Sequence, residues 1–332
     1  MSKKFVVGPS PHIRSPRDID YIMWDVVVAL VPATIASIII FGWASAIVLS
    51  LSLISALFFE WLVVSRKPKI SAFLGDGSAA VTGLLLGLSL PPATGMMASI
   101  GGSWTLPWAV PILGSAVAIL IGKHAFGGLG KNPFNPALVG RGFLTFSYLT
   151  LMTNWEPTGT FVDTTTGATP LQGEAATLWE LFIGTVPGSL GETSALALII
   201  GGIYLLYKGH IDWRIPGGFL GAMVVFSFIH TGFAGEFEGL VGFLSAGLDE
   251  ALFQVLSGSA LMGAIYMATC YVTSPTTKNA RLIYGIGCGL ILILIRYYAQ
   301  APAGLTYAVL FMNALTPILD RLTIPRTFGE VK

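Results

Sequence analysis

The sequence predicts an all-α polytopic membrane protein of about ten transmembrane helices, built as two inverted five-helix repeats with broken third and eighth helices. Three observations predict it. The first is composition: 54% hydrophobic against 11% charged residues, with a mean hydropathy of +0.76, is too apolar for a soluble chain of 332 residues. The second is a series of apolar runs, among them Val26 to Phe41, Ala46 to Val64 and Ile283 to Ile295. With their flanks these reach the roughly 20 residues that a helix needs to cross a ~30 Å hydrocarbon layer. The third is a faint internal repeat. Residues 77–83, Gly-Ser-Ala-Ala-Val-Thr-Gly, resemble 258–263, Gly-Ser-Ala-Leu-Met-Gly, and Asn135-Pro136-Ala137 with Arg141 echoes Asn313-Ala314 with Pro317 and Arg321, both at an offset of about 180.

The elements follow in order. Residues 1–21 form a polar N-terminal segment carrying Lys3, Lys4, Arg14 and Arg17. A cleavable signal peptide would place its apolar stretch earlier, so the first helix is expected to stay. Spans are expected near 22–41, 44–64, 76–91, 104–123 and 134–152, making a first repeat of 22–152. After the polar stretch 153–192 come 193–207, 215–233, 256–272, 281–298 and 304–320, a second repeat of 193–320, followed by the tail 321–332. The third and eighth spans are short, begin at Asp76-Gly-Ser-Ala and Ser257-Gly-Ser-Ala, and run into Pro91-Pro92 and Ser274-Pro275, as broken helices would. An odd number of crossings between the repeat starts gives them opposite orientation. Inverted repeats with broken helices point to transport, although Gly-Ser-Ala serves close helix packing equally well.

Basic residues concentrate in cytoplasmic loops. With the N-terminus inside, that side holds Arg66, Lys67, Lys69, Lys123, Lys131, Lys208, Arg214, Lys278 and Arg281, and the tail adds Arg321, Arg326 and Lys332. The opposite loops hold only Arg296, and carry Glu156, Asp163, Glu174, Glu180, Glu192, Glu236, Glu238, Asp249 and Glu250. Both termini are therefore expected in the cytoplasm and 153–192 outside it. A net charge of +1 gives no general attraction to nucleic acid.

Most of the polar residues within this frame have a structural reading. Asp76 is a helix cap, and Glu60 and Asp25 are ion-paired or snorkelling acids near the membrane edge. Four single histidines, His12, His124, His210 and His230, lack metal-ligand spacing, and Cys270 and Cys288 are too few for a four-cysteine cluster. The glycines Gly127, Gly128 and Gly130 lead into Asn132-Pro133-Phe134-Asn135-Pro136, where proline suits the first turn of a helix.

The segment Asp163-Thr164-Thr165-Thr166-Gly167-Ala168-Thr169-Pro170-Leu171 is a hydroxyl-rich turn by composition. It resembles the acceptor motif at which flavin mononucleotide is esterified through its phosphate to the last threonine, here Thr169, in the D subunit of the Rnf complex and the B subunit of the sodium-pumping NADH:quinone reductase. Gly167 and Ala168 leave space for a bulky donor and Pro170 fixes the loop direction, with Asp163, Thr166 and Leu171 completing the motif. An ordinary threonine hydroxyl is a weak nucleophile, so the resemblance implies a separate FAD-dependent flavin transferase.

The likeness runs through the chain: Ser10-Pro11-His12-Ile13-Arg14-Ser15, Asn132 to Ala137, Gly191 to Ala195, Asp212 to Pro216 and Ala268 to Pro275 all resemble the Rnf protein. The reductase subunit is expected to carry a longer N-terminal extension, which favours the Rnf side. One position departs: relatives usually carry Asp where this chain has Cys270, so no acid's role is carried over to it. The resemblance implies a flavin-carrying subunit, in a prokaryotic cell membrane, of a translocase that couples electron flow between ferredoxin and NAD to Na+ or H+ movement. Its partners, the A, B, C, E and G subunits of the Rnf complex, would hold the NAD and iron–sulfur sites, and a second, noncovalent flavin such as riboflavin is allowed within the bundle. The rival expectation is a small-solute transporter or channel of urea-transporter-like architecture.

Overall fold

The structure is a computed structural model that describes residues 18–64, 76–92, 99–100, 103–104, 108–153, 155, 169–172, 176–234, 239–299, 301 and 304–324. Helix α1 (Ile19–Phe41) ends at Gly42, whose φ of +68° lets the chain reverse straight into α2 (Trp43–Val64). Helix α3 (Ser78–Leu88) is short, as expected for a broken helix, and almost wholly buried. Gly77 takes the N-cap position, and Asp76, expected there, stands one residue earlier, where its Oδ1 accepts from Ser78 N at 3.0 Å and from Ser78 Oγ at 2.5 Å. Beyond Leu88 the chain leaves the helix, and the Leu88 and Leu90 carbonyls accept from Gly191 N (2.7 Å) and Leu190 N (3.1 Å). Helix α4 (Ala109–Phe126) loosens into a π-helical stretch at Val117–Lys123. Asn135 caps α5 (Pro136–Ser147) by accepting from Ala137 N at 3.1 Å, with Pro136 in the first turn.

Two short helices follow, α6 (Leu149–Met152) and α7 (Leu178–Ile183), the latter inside the stretch 153–192 that reads as a loop in the sequence. A capping box of Thr177 and Glu180 starts α7. Then come α8 (Ala195–Lys208), α9 (Arg214–Ala234), α10 (Gly239–Leu256), α11 (Ala260–Met262, continued by a π turn at Gly263–Met267), α12 (Lys278–Leu294, continued by a π turn at Ile295–Ala299) and α13 (Gly304–Leu322). The strands Ser99–Ile100 and Ser103–Trp104 form a small antiparallel pair.

The helix Gly239–Leu256 corrects the expectation from sequence, in which Asp249 and Glu250 mark an outer loop. It packs antiparallel on α9, with the Phe228 and Phe243 rings 4.9 Å apart. Glu250 is accommodated because its Oε1 accepts from Gln254 Nε2 (3.0 Å) and Tyr297 OH (2.8 Å). The expected break at the eighth span falls immediately after it, at Ser257-Gly258-Ser259, where Gly258 has φ +58°.

Among the described residues, five helices are long and apolar enough to cross a membrane: Ile19–Phe41, Trp43–Val64, Ala109–Phe126, Arg214–Phe233 and Lys278–Ala299. Small residues let them approach: a Cβ on Gly201 of α8 would clash with the Ala29 carbonyl of α1, and one on Gly289 of α12 with the Phe219 carbonyl of α9. Basic residues gather at one end of the bundle, as expected. Lys208 ends α8 and donates to Tyr21 at the start of α1, while Arg214 and Arg281, in the first turns of α9 and α12, share Asp212.

Candidate functional site

Of the motif residues, Asp163, Thr166, Gly167 and Ala168 lie outside the described residues, whereas Thr169, Pro170 and Leu171 are described. Pro170–Gln172 form one 3-10 turn, which proline's fixed φ favours. That turn stands at the opposite end of α8 from the basic loops. Thr169, Pro170 and Leu171 form part of the wall of a cavity of about 630 Å³.

The rest of the wall comes from α5, the approach to α8, the end of α10 and the end of α12. Arg141, 5% exposed in the middle of α5, donates to Glu192 Oε1 at 2.5 Å, and Glu192 is itself 7% exposed. Arg296 stands in the π turn that ends α12. It donates to the Gln254 carbonyl (2.5 Å), to Gln254 Oε1 (3.2 Å) and to the Ser257 carbonyl (3.0 Å). Those carbonyls are free to accept because the helix ends at Leu256. Gly258 has no side chain to fill the space between: a Cβ there would stand 3.0 Å from Leu171 Cδ1 and 3.4 Å from Arg296 Nη2.

Four polar atoms of the wall, Arg141 Nε, Trp155 Nε1, Ser189 Oγ and Thr193 Oγ1, are buried with no hydrogen-bond partner among the described residues. Buried donors in folded proteins are normally satisfied, and an unmet one costs about 1–3 kcal/mol. This wall is suited to a polar guest.

The other end of the bundle is different. A cavity of about 70 Å³ is lined there by Ser78, Lys123, Asn135, His210, Tyr266 and Cys270, among others. Lys123, expected in a loop, is 2% exposed within a helix and donates to Glu60 Oε1 (2.8 Å) and Ser78 Oγ (2.6 Å). His124 meets Glu60 Oε2 at 2.9 Å. Asp25 accepts from Tyr204 OH at 2.8 Å and meets His210 Nε2 at 2.6 Å, with Lys208 Nζ at 3.7 Å. Glu60 and Asp25 are thus ion-paired acids, as the sequence suggests, although Glu60 pairs with Lys123 and His124; Arg66, its expected neighbour, lies outside the described residues. Among the described residues no cluster of His, Cys, Asp and Glu could hold a metal ion.

Sequence reasoning misses Arg141, Glu192 and Arg296 as site residues. Arg296 carries the stronger signal, being the lone cation assigned to the acidic side of the protein. It belongs to the last turns of α12, not to a loop.

Fold and site together define a multi-pass helical membrane protein with a polar cavity at one end of the bundle and sealed ion pairs at the other. The chain belongs to the NQR2, RnfD, RnfE family, whose model matches residues 6–329. It is 39% identical to the D subunit of the Na(+)-translocating ferredoxin:NAD(+) oxidoreductase complex of Acetobacterium woodii, over 98% of this chain and 96% of that protein. It is 36% identical to the D subunit of the proton-translocating ferredoxin:NAD(+) oxidoreductase complex of Clostridium ljungdahlii, again over 98% and 96%. The D subunit of an ion-translocating oxidoreductase complex from Citrobacter koseri is 32% identical over 98% of this chain and 99% of its own length.

Proposed function

We propose that this chain is the flavin-carrying member of an ion-translocating ferredoxin:NAD+ oxidoreductase complex, its D subunit, with flavin mononucleotide esterified through its phosphate to Thr169. The family membership supports the complex and its other subunits as partners. The observation that carries the flavin reading is the position of Thr169 on the wall of a cavity of about 630 Å³ that contains unsatisfied donors. Flavin presents carbonyls, ring nitrogens and ribityl hydroxyls, which match those donors. Bound there, it supplies electron exchange singly or in pairs; the protein positions it and sets its surroundings. Thr169 anchors, Arg141 and Arg296 face the guest, and Ser189 and Thr193 offer it hydroxyls.

The basic end is assigned to the cytoplasm and Thr169 to the outer face. Electrons that reach Thr169 then cross the membrane field, where one charge through 100 mV is worth about 2.3 kcal/mol. That work is what ion movement would be coupled to. The first two relatives above, one named for sodium and one for protons, match this chain almost equally, so similarity does not choose the ion. We also infer the inverted repeat, with α1, α2, α3, α4 and α5 answering to α8, α9, α11, α12 and α13, and α10 inserted. Its support is that α1 packs on α8 and α5 on α13, that α2 packs on α3 and α4 as α9 does on α11 and α12, and that α4 and α12 both relax into π turns.

The test is co-expression of the full chain with the FAD-dependent transferase, followed by mass spectrometry of the peptide spanning Asp163 to Leu171. A flavin phosphate on Thr169, lost in Thr169→Ala, is the expected result. A bare peptide from the wild-type chain with active transferase present would overturn the reading.

A further inference from the structure

Arg296 is the one cation of the cavity wall, among the described residues, with no carboxylate in hydrogen-bond or ion-pair contact; Glu192 acts on it only through space. The charged residues of the wall are Arg141, Glu192 and Arg296, which sum to +1. Arg141 is matched by Glu192. The acceptors around Arg296 are all neutral: two backbone carbonyls and the Gln254 amide oxygen. The nearest carboxylate in its hydrogen-bond network is Glu250, one step removed, because Gln254 donates to Glu250 through Nε2 while accepting from Arg296 through Oε1. Glu250 is also occupied by Tyr297 OH. A guanidinium does not deprotonate in proteins, and a cation inside a membrane protein is costly unless an anion answers it.

We propose that Arg296 places a fixed positive charge beside the flavin held by Thr169 and favours the anionic form of the reduced ring, raising its reduction potential. The inference rests on the flavin reading above. Its geometry is the gap over Gly258, where Leu171, two residues beyond the attachment point, and Arg296 Nη2 approach the same empty Cβ position. A group esterified to Thr169 would share this wall with Arg296. Arg296 would offer a fixed positive charge to a ring that had taken up two electrons, from ferredoxin through the partner subunits, and one proton, and would disfavour uptake of a second proton. The other charged or titratable groups near Arg296 are Glu192 with Arg141 across the cavity, and Tyr297 with Glu250 behind Gln254. Of these only Arg141 is a fixed cation, and Glu192 neutralises it.

The experiment uses the full chain, flavinylated in cells and purified, as wild type, Arg296→Gln and Arg296→Lys. In-gel flavin fluorescence after denaturation first establishes attachment, and dithionite titration then gives the potential across a range of pH. Attachment is expected in all three. Arg296→Gln is expected to lose about tenfold in preference for the reduced ring, about 30 mV for a two-electron couple, and Arg296→Lys to recover most of it. The wild-type potential is expected to fall by about 30 mV per pH unit, one proton per two electrons, from mildly acidic to mildly alkaline pH, and the Arg296→Gln slope to steepen towards about 59 mV on the acidic side. An unchanged potential and slope in flavinylated Arg296→Gln would overturn the proposal while leaving the Thr169 reading intact. Should Arg296→Gln fail to fold, a two-proton slope in the wild type alone overturns it. A wild-type chain without covalent flavin removes both readings.

Discussion

Both ends of the bundle bury charge, and they treat it in opposite ways. At the basic end, Glu60 is closed by Lys123 and His124, and Asp25 by His210, Tyr204 and Lys208, around a cavity of only about 70 Å³. At the Thr169 end only Arg141 and Glu192 pair, around about 630 Å³ of space, and Arg296 and several donors are left facing it. The first arrangement pairs its charges within this chain, and Asn132 Oδ1 is the polar atom of its wall left without a partner among the described residues. The second has polar groups whose desolvation is offset only when something occupies the cavity, which is how a cofactor site differs from a structural ion pair.

The largest expected effect tests whether the basic end is as closed as it looks. Lys123→Met leaves Glu60 with His124 alone and should destabilise the chain by about 3 kcal/mol, read as a lower melting temperature in detergent. Glu60→Gln added to it should restore most of the loss, since a matched neutral pair strands no charge. Additive losses in the double variant would break the comparison, because they would mean that the pair is not coupled. Arg141→Met, which strands Glu192, should cost nearly as much, and this end too has one pair that the fold requires.

Smaller effects separate a vacant wall from a packed one. Thr193→Val and Ser189→Ala remove hydroxyls that have no partner among the described residues. In the chain without flavin their removal relieves an unmet desolvation cost and should raise stability by about 1 kcal/mol. In the flavinylated chain each should cost about 1 kcal/mol, because a hydrogen bond to the guest is then lost. Equal melting shifts with and without flavin would show that these hydroxyls do not meet it.

Sequence pattern specifies the apolar spans well, because hydropathy over about 20 residues is a property of the local chain. The expected spans 22–41 and 44–64 correspond to Ile19–Phe41 and Trp43–Val64. The same criterion fails at Gly239–Leu256, where Asp249 and Glu250 lower the hydropathy and the compensating partners, Gln254 and Tyr297, become visible only in three dimensions. The cavity is illegible for a related reason. Arg141, Glu192 and Arg296 are far apart in sequence, and each alone looks like a loop residue or a packing oddity. Thr169 is proposed from a motif that is contiguous in the sequence, of which Asp163, Thr166, Gly167 and Ala168 lie outside the described residues.

The weakest expected effect concerns acids outside the spans, of which each end offers one. At the basic end, burial pushes the Asp212 carboxyl up, but the hydrogen bonds from the Arg214 backbone N–H and from the Arg281 and Arg214 side chains outweigh it and hold the group below its ordinary value. At the Thr169 end, the Thr177 backbone N–H holds exposed Glu180 below the usual glutamate range. A carboxyl whose folded value lies below its unfolded value stabilises fully above the unfolded value, and that contribution fades as the pH falls through the folded one. Acid should therefore loosen both ends only below about pH 4, and Asp212 should matter more because it ties the first turn of α9 to α12 through Arg281, 3.1 Å away. Asp212→Asn should lower stability at neutral pH by about 1 kcal/mol, discounted for partial exposure, and flatten the acid limb of a melting-temperature profile. Glu180→Gln should flatten it less, since it unties only the start of α7. If Glu180→Gln flattened the profile more than Asp212→Asn, the acid-sensitive contacts would lie at the Thr169 end, and the basic end could no longer be described as the closed one.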